Sequence, residues 1–113
     1  MSASSPSPPA EHVFRVDRFV VPSSAREEFL ARVRETHELL RTQPGFVCDL
    51  LLERTAAPGE HVFITLAEWE SEAAIENAAM AVQAMRQKTG FDPKEMFARL
   101  GIEAEITTYR AVE

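Results

Sequence analysis

Cysteine is almost absent from this sequence, since Cys48 is the single one among 113 residues. One thiol cannot close an internal disulfide, and no second cysteine is there to share a metal ion with it. Long apolar runs are lacking too, because no stretch approaches the roughly 18 consecutive apolar residues that a membrane-spanning helix needs. The sequence therefore predicts a cytoplasmic protein that does not enter the membrane.

Positive charge is also scarce, with 12 Lys and Arg against 18 Asp and Glu and a formal net charge of −6. An acidic surface repels phosphate backbones, and no basic run or basic helix face offsets this, so nucleic-acid binding is not expected. The chain also lacks a histidine cluster and a glycine-rich phosphate loop. We therefore expect no bound metal and no tightly held cofactor.

The N-terminal segment differs in composition from the rest of the chain. Residues 1–11 are rich in serine and proline and contain no apolar segment of the kind found in a secretory signal. The overall apolar fraction of 45% and charged fraction of 27% are close to globular averages. A chain of this length has room for one core. We predict a disordered tail over residues 1–11 and one domain over residues 12–113.

The spacing of apolar residues predicts four strands and three helices after the tail. The strands are expected at residues 12–21, 46–54, 61–69 and 102–112. Ser24, Ser71 and Asp92 are expected to cap the three helices, with Ser24 and Glu27 forming a capping box. The order β-α-β-β-α-(α)-β is that of the split-βαβ or ferredoxin-like α+β fold, in which helices cover one face of a four-stranded antiparallel sheet.

This layout leaves the other face of the sheet without a cover. The second and third predicted strands carry more apolar side chains than one layer of helices should bury, namely Phe46, Cys48, Leu50, Leu52, Val62, Ile64 and Leu66. A second copy of the same chain is the simplest partner for such a face. We therefore predict a homodimer.

Two short segments carry the most specific signal in the sequence. One is Ile64-Thr65-Leu66-Ala67-Glu68-Trp69-Glu70-Ser71, a strand that ends in tryptophan before a helix, and the other is Pro44-Gly45-Phe46. With these segments, residues 12–112 resemble the antibiotic-biosynthesis-monooxygenase family. The resemblance implies a dimeric α/β barrel with a pocket in each subunit between sheet and helices. It also implies oxidation of an electron-rich phenol, quinol or anthrone by O₂ without metal or flavin.

Single positions match this family in part. Trp69 corresponds to the family's tryptophan at the end of the strand. Anthrone-oxidising members carry asparagine four residues earlier, where this chain has Thr65, which can still donate one hydrogen bond. The haem-degrading branch of the fold needs a histidine on the second helix as iron ligand. Residues 71–90 contain no histidine, so haem degradation is not expected.

His37 and Trp69 are the predicted catalytic residues. His37 shares a predicted helix face with Phe29, Val33 and Leu40, and an imidazole there could take a proton from a phenolic substrate. The alternative is a structural histidine, or one that turns to solvent. Trp69 could stack on a flat substrate while its indole N–H donates a hydrogen bond. Its alternative role is that of a core or dimer-interface aromatic residue.

Four further residues are predicted to bind substrate. Thr65 could hold a substrate oxygen, and Tyr109 could act as donor or acid or could instead cover the dimer seam. Asp17 could be an inward-facing base with a raised pKa, although an outward, solvated carboxylate is the favoured interpretation. Met85, on the apolar stripe of the second helix, has the flexibility either to fill the core or to contact a ligand.

These features leave three functions open. The first is a cofactor-independent monooxygenase that acts on an aromatic, quinol or polyketide-like small molecule with O₂. The second is an isomerase or lyase that uses a pocket base such as His37 without O₂. The third is a dimer that binds a small molecule and performs no chemistry.

Overall fold

A computed structural model describes residues 9–112 of the chain. Its elements are β1 (Val13–Pro22), α1 (Arg26–Leu40), β2 (Phe46–Ala57), β3 (Glu60–Trp69), α2 (Glu72–Thr89), α3 (Pro93–Leu100) and β4 (Glu103–Arg110). The predicted tail, residues 1–11, falls largely outside the described residues. In the part of the chain that is described, none of the helices has the length and apolar character needed to cross a membrane.

The four strands form one antiparallel sheet in the order β2-β3-β1-β4. The two central strands, β1 and β3, are therefore joined to each other and flanked by β2 and β4. Their odd-numbered residues face the helices, as the burial of Val13, Phe19, Phe63 and Trp69 shows. The predicted ferredoxin-like α+β fold is confirmed.

The core between sheet and helices is divided into two apolar clusters. The phenylalanine cluster is built around Phe19, Phe29 and Phe63, with ring centroids 4.9 Å apart for Phe19 and Phe29 and 5.1 Å apart for Phe29 and Phe63. The tryptophan cluster consists of Val13, Ala67, Trp69 and Ala78. Between the clusters the sheet carries polar side chains, because Asp17 and Thr65 lie opposite each other in register. Two separate apolar clusters leave a polar gap at the centre of the domain.

The even-numbered residues of β1 and β3 face away from the helices. The same open face includes Leu50 and Leu52 of β2, which are 51% and 52% exposed. On β4 it includes Tyr109, which pairs with Phe14 of β1. The second face of the sheet therefore exposes large apolar side chains in the single chain, alongside charged residues such as Arg18 and Glu105.

Two of the three predicted helix caps are confirmed. The Ser71 side chain accepts a hydrogen bond from the Ala74 N–H, and the Asp92 side chain accepts from the N–H groups of Lys94 and Glu95. The capping box predicted at Ser24 is wrong, since no side chain caps α1. The chain enters α1 through a 3₁₀ turn, Ser23–Ala25, which is held to the β2–β3 connection instead.

That connection is also shorter than the sequence predicts. The sequence predicts that the second strand ends at residue 54 and that the third begins at residue 61. In the structure β2 extends to Ala57 and β3 begins at Glu60. A bulge between Thr55 and Ala57 takes up the irregular register. The hairpin turn is thereby reduced to Pro58-Gly59.

Gly45 fixes the start of β2 against the start of α2. Its φ angle is +83°, and a β-carbon at this position would clash with the Ala74 β-carbon. Its carbonyl accepts a hydrogen bond of 2.8 Å from the Glu70 N–H. The next residue, Phe46, meets Trp69 edge to face with ring centroids 5.4 Å apart. Only glycine permits this close approach, which sets the position of the tryptophan end of β3.

Candidate functional site

A cavity occupies the polar gap between the two apolar clusters, bounded by the helix-facing side of the sheet and by the helices. It has two adjoining lobes of about 490 Å³ and 250 Å³. These volumes suit a small organic molecule. Both lobes are lined by the same five polar residues, namely Asp17, Thr36, His37, Thr65 and Arg86.

His37 reaches this cavity from α1 and is only 8% exposed. Its Nδ1 lies 3.4 Å from Oδ2 of Asp49. Asp49 in turn accepts hydrogen bonds of 2.8 Å and 3.1 Å from Nε and Nη2 of Arg41. Burial lowers the pKa of His37, Asp49 opposes this change, and Arg41 adds to it. The imidazole is therefore neutral at pH 7 and able to accept a proton.

Trp69 forms one wall of the larger lobe. It closes β3, is 1% exposed, and packs within the tryptophan cluster against Phe46. His37 lines the same lobe from the opposite layer. Trp69 thus borders the same space as the His37 imidazole, while nearly all of its surface is covered by the tryptophan cluster, as in the predicted role of a core aromatic residue.

Asp17 and Thr65 form the floor of the cavity on adjacent strands. Burial raises the pKa of Asp17 to about 6, although the charge of Arg15 and a hydrogen bond from Thr65 act in the opposite direction. Apart from the Arg15 Nε at 3.5 Å, Oδ1 of Asp17 has no polar partner among residues 9–112. The favoured outward orientation is wrong, because Asp17 lies on the same sheet face as Phe19 and Val21.

Arg86 is a cavity residue that the sequence did not single out. It lies on α2 and lines both lobes. Its Nε is buried and has no hydrogen-bond acceptor in the described part of the chain. Burial lowers the pKa of Arg86, with Asp92 acting in the opposite direction. The helical spacing of the sequence indicates this position, because Arg86 follows Ala78 and Val82 at steps of four residues along the buried face of α2.

Two predicted substrate-binding residues are not brought to this cavity. Tyr109 is 54% exposed and lies on the open face of the sheet, beside Phe14. The residues of β4 that do line the cavity are Ile106 and Thr108, which point to the opposite side of that strand. Met85 is partly buried but is not among the residues that line either lobe.

The grouped side chains are suited to proton transfer and to anion binding. His37 and Asp17 can each accept a proton near neutral pH, and Arg86 offers a guanidinium. Across residues 9–112, no three His, Cys, Asp or Glu side chains are placed together as metal ligands. The arrangement groups an imidazole, a carboxylate and a guanidinium around a space of small-molecule size, with Arg15, Arg32 and Lys94 as further cations in the lining.

Comparison with known proteins places the chain among related sequences and folds. The sequence profile described as antibiotic biosynthesis monooxygenase matches residues 13–86, which is more than half of the chain. Among curated proteins the search finds no match.

Several solved structures share the fold. SnoaB from Streptomyces nogalater, a cofactor-independent oxygenase, is 24% identical, with 92% of this chain and 96% of that chain covered and a TM-score of 0.59. A protein of Shewanella loihica PV-4, provisionally described as a monooxygenase, is 24% identical over 90% of this chain and 95% of that one, with a TM-score of 0.62. A mutant of MhuD with manganese protoporphyrin IX bound is 22% identical, with 89% of this chain and 95% of that chain covered and a TM-score of 0.63. At sequence identities of 22% to 24%, the similarity to these structures establishes the fold alone.

Proposed function

Because the chain belongs to the antibiotic biosynthesis monooxygenase family, we propose that it oxidises a small aromatic, quinol or polyketide-like molecule with O₂ and without metal or flavin. One observation carries this proposal, namely that neutral, buried His37 and Trp69 line one cavity of the size of a small ligand. The cofactor-independent oxygenase SnoaB has the same fold, which supports the same chemistry here.

In this proposal His37 is the general base. Asp49 beside Nδ1 favours the tautomer that carries its proton on Nδ1, which leaves Nε2 as the basic nitrogen. That nitrogen takes the proton of a substrate hydroxyl, while the Thr65 hydroxyl turns from Asp17 to donate a hydrogen bond to a substrate oxygen and Trp69 stacks on the ring. The resulting anion is electron-rich enough to pass an electron to O₂. General-base assistance of this kind contributes about 10²–10⁴-fold in rate.

The proposed reaction balances without an external reductant. A phenol and O₂ give a quinone and water, so a ring C–H bond is replaced by C=O. One oxygen atom enters the product and the other leaves as water. The substrate supplies all the electrons, and the proton taken by His37 is returned to the departing water. The protein contributes a base, a binding surface and a cavity.

We also propose that the chain acts as a homodimer. The open face of the sheet supports this proposal, because it exposes Leu50, Leu52 and Tyr109 by about half each. Covering this face with a second copy would bury roughly 2,000 Å² or more, as is typical of permanent dimers. Light scattering at micromolar concentration should give twice the mass of the chain, and a monomer would contradict the proposal.

Oxygen uptake with a panel of quinols and hydroxylated aromatics tests the proposed activity. We expect uptake that requires both the substrate and the protein, and that persists after treatment with metal chelators. An isomerase or lyase using His37 would instead change the substrate equally well in anaerobic buffer. A binding protein without chemistry would show saturable ligand binding and no change in the ligand.

A further inference from the structure

Asp17 is a carboxylate on the inner side of the sheet. It lies on β1, in register with Thr65 of β3 and Ile106 of β4. Its side chain is 20% exposed and lines both lobes of the cavity. The accessible part of this carboxyl group therefore faces the space that a ligand would fill.

The fold does not satisfy this carboxylate as it satisfies others. Asp49, for example, accepts two hydrogen bonds from the fork of Arg41. Oδ1 of Asp17 is buried and accepts no hydrogen bond from residues 9–112, and the Nε of Arg15 lies 3.5 Å from it. A carboxylate that served only to hold the structure together would be expected to have closer donors. Asp17 therefore keeps a basic oxygen at the edge of the cavity.

The environment of Asp17 makes it a stronger base than an ordinary aspartate. Burial raises its pKa from 3.8 to about 6, while the charge of Arg15 and a hydrogen bond from Thr65 act in the opposite direction. At neutral pH it is still mostly ionised, which is the form that accepts a proton. When the Thr65 hydroxyl turns to a substrate oxygen, the carboxylate loses that hydrogen bond and becomes more basic.

One other group in the cavity lining has an ordinary pKa between about 5 and 8, and it is His37. The remaining charged side chains in the two lobes are Arg15 on β1, Arg32 on α1, Glu72, Glu76 and Arg86 on α2, and Lys94 on α3. A pH dependence near neutrality in this cavity therefore involves His37 or Asp17, and variants of the two residues distinguish them.

The proposed oxidation has to remove two protons from the substrate. One leaves the hydroxyl group, and the other leaves the ring carbon at which C–H becomes C=O. When oxygen enters opposite the hydroxyl, these protons lie at opposite ends of the ring. A base acts over a distance of about 3 Å, so one imidazole cannot serve both ends. His37 borders the cavity from the helix layer and Asp17 borders it from the sheet.

We propose that Asp17 is a second catalytic base, which removes the proton from the ring carbon that O₂ has attacked. This role rests on the proposed function, because it completes the same oxidation. It also restricts the substrate to phenols that carry hydrogen on the carbon opposite the hydroxyl group. His37 starts the reaction at one end of such a ring, and Asp17 finishes it at the other.

The step balances in atoms and electrons. Addition of O₂ to the substrate anion gives a peroxide, whose outer oxygen receives the proton held by His37. Asp17 then takes the C–H proton, the electron pair of that bond forms C=O, and the O–O bond breaks. The departing hydroxide takes the proton from Asp17 and leaves as water. Both residues are thereby returned to their starting forms.

A single-turnover experiment with 1-naphthol tests this role, with oxygen uptake, hydroperoxide and 1,4-naphthoquinone followed separately. We expect the native protein to form quinone as fast as it consumes oxygen. Asp17→Asn keeps the shape of the side chain and removes the base. It should consume oxygen but form quinone about 10²–10⁴-fold more slowly, so that the hydroperoxide accumulates. Deuterium on the carbon opposite the hydroxyl should slow this breakdown further.

Two further measurements separate catalysis from folding. In the native protein the breakdown of the hydroperoxide should become faster as pH rises through about 6, because Asp17 must be ionised, and Asp17→Asn should lack this dependence. Asp17→Glu restores a carboxylate and should recover part of the rate of quinone formation. A slow Asp17→Asn variant with no hydroperoxide, no isotope effect and no recovery in Asp17→Glu would show a structural role and overturn the proposal.

The controls use one variant and one substrate. Glu27→Gln removes an exposed carboxylate on α1 and should leave every rate unchanged. With 4-methyl-1-naphthol, which has no hydrogen to lose at that carbon, the native protein should stop at the hydroperoxide. Equal rates of quinone formation in the native protein and in Asp17→Asn would contradict the role of Asp17 alone. Absence of oxygen uptake in the native protein would contradict the monooxygenase and this role together.

Discussion

Asp49 places its carboxylate 3.4 Å from Nδ1 of His37. The same carboxylate accepts two hydrogen bonds from Arg41, so it is held in place from outside the cavity. Its charge is thereby shared between the imidazole and a guanidinium. This arrangement keeps the His37 ring oriented without drawing a permanent proton onto it. A base that is oriented yet neutral is what proton removal from a phenol requires.

Removing the charge of Asp49 and removing the charge of Arg41 should shift the pKa of His37 in opposite directions. Asp49→Asn should lower it further, because the attraction that favours the imidazolium is lost. Arg41→Gln should raise it, because a nearby positive charge disappears and Asp49 becomes free to act on the imidazole. NMR titration of the His37 ring protons measures both. Shifts in the same direction would show that Asp49 and Arg41 do not act on His37 as described.

Asp17 should make the protein less stable at high pH than at low pH. Its pKa is raised from 3.8 to about 6 in the folded protein, so its stabilising contribution is complete below pH 3.8 and is lost as pH rises through about 6. Asp17→Asn should therefore increase the free energy of unfolding by about 2–3 kcal/mol at pH 8 and by little at pH 4. Urea denaturation across this range measures the difference. Exposed Glu27→Gln, on α1 and away from the open sheet face, is the control, and an equal pH dependence in both variants would refute the assignment.

Gly45→Ala should destabilise the fold by about 2–4 kcal/mol, since the residue adopts a positive φ and its β-carbon would meet Ala74. Gly90→Ala is a matched control, because Gly90 has a φ of +74° and nothing within 4 Å of a β-carbon. The control isolates the cost of the backbone conformation, about 1–2 kcal/mol. Equal losses for the two variants in urea denaturation would show that the contact with Ala74 carries no constraint.

Periodicity predicts the fold and the side of the sheet on which His37, Thr65 and Trp69 lie. The helical phase of α1 predicted that His37 faces the sheet, and the alternation of β3 put Thr65 and Trp69 on one side. The helical phase and the strand alternation are both local patterns, which arise because one face of each element is buried. The start of α1 could not be predicted in this way, because the contact of Ser23 N–H with the Gly59 carbonyl replaces the local cap at Ser24.

The remaining errors arose where the site depends on register and on empty space. Which face of β4 borders the cavity is set by its pairing with β1, which places Ile106 beside Asp17 and Tyr109 beside Phe14. The register between these two strands cannot be predicted from the sequence alone. Arg86 was passed over because a charged residue in a helix is normally solvated. Its partial burial follows from the gap between two apolar clusters, which only tertiary packing reveals.

The central claim is that His37 starts a monooxygenation in this cavity. The most direct measurement is incorporation of ¹⁸O from ¹⁸O₂ into the product of an accepted quinol or phenol, with rates for the native protein, His37→Ala and the control His61→Ala, whose histidine lies outside the cavity. The account predicts one labelled oxygen atom per product, a rate lowered by about 10²–10⁴-fold in His37→Ala, and an unchanged rate in His61→Ala. An unlabelled product, or equal rates for the native protein and His37→Ala, would contradict it.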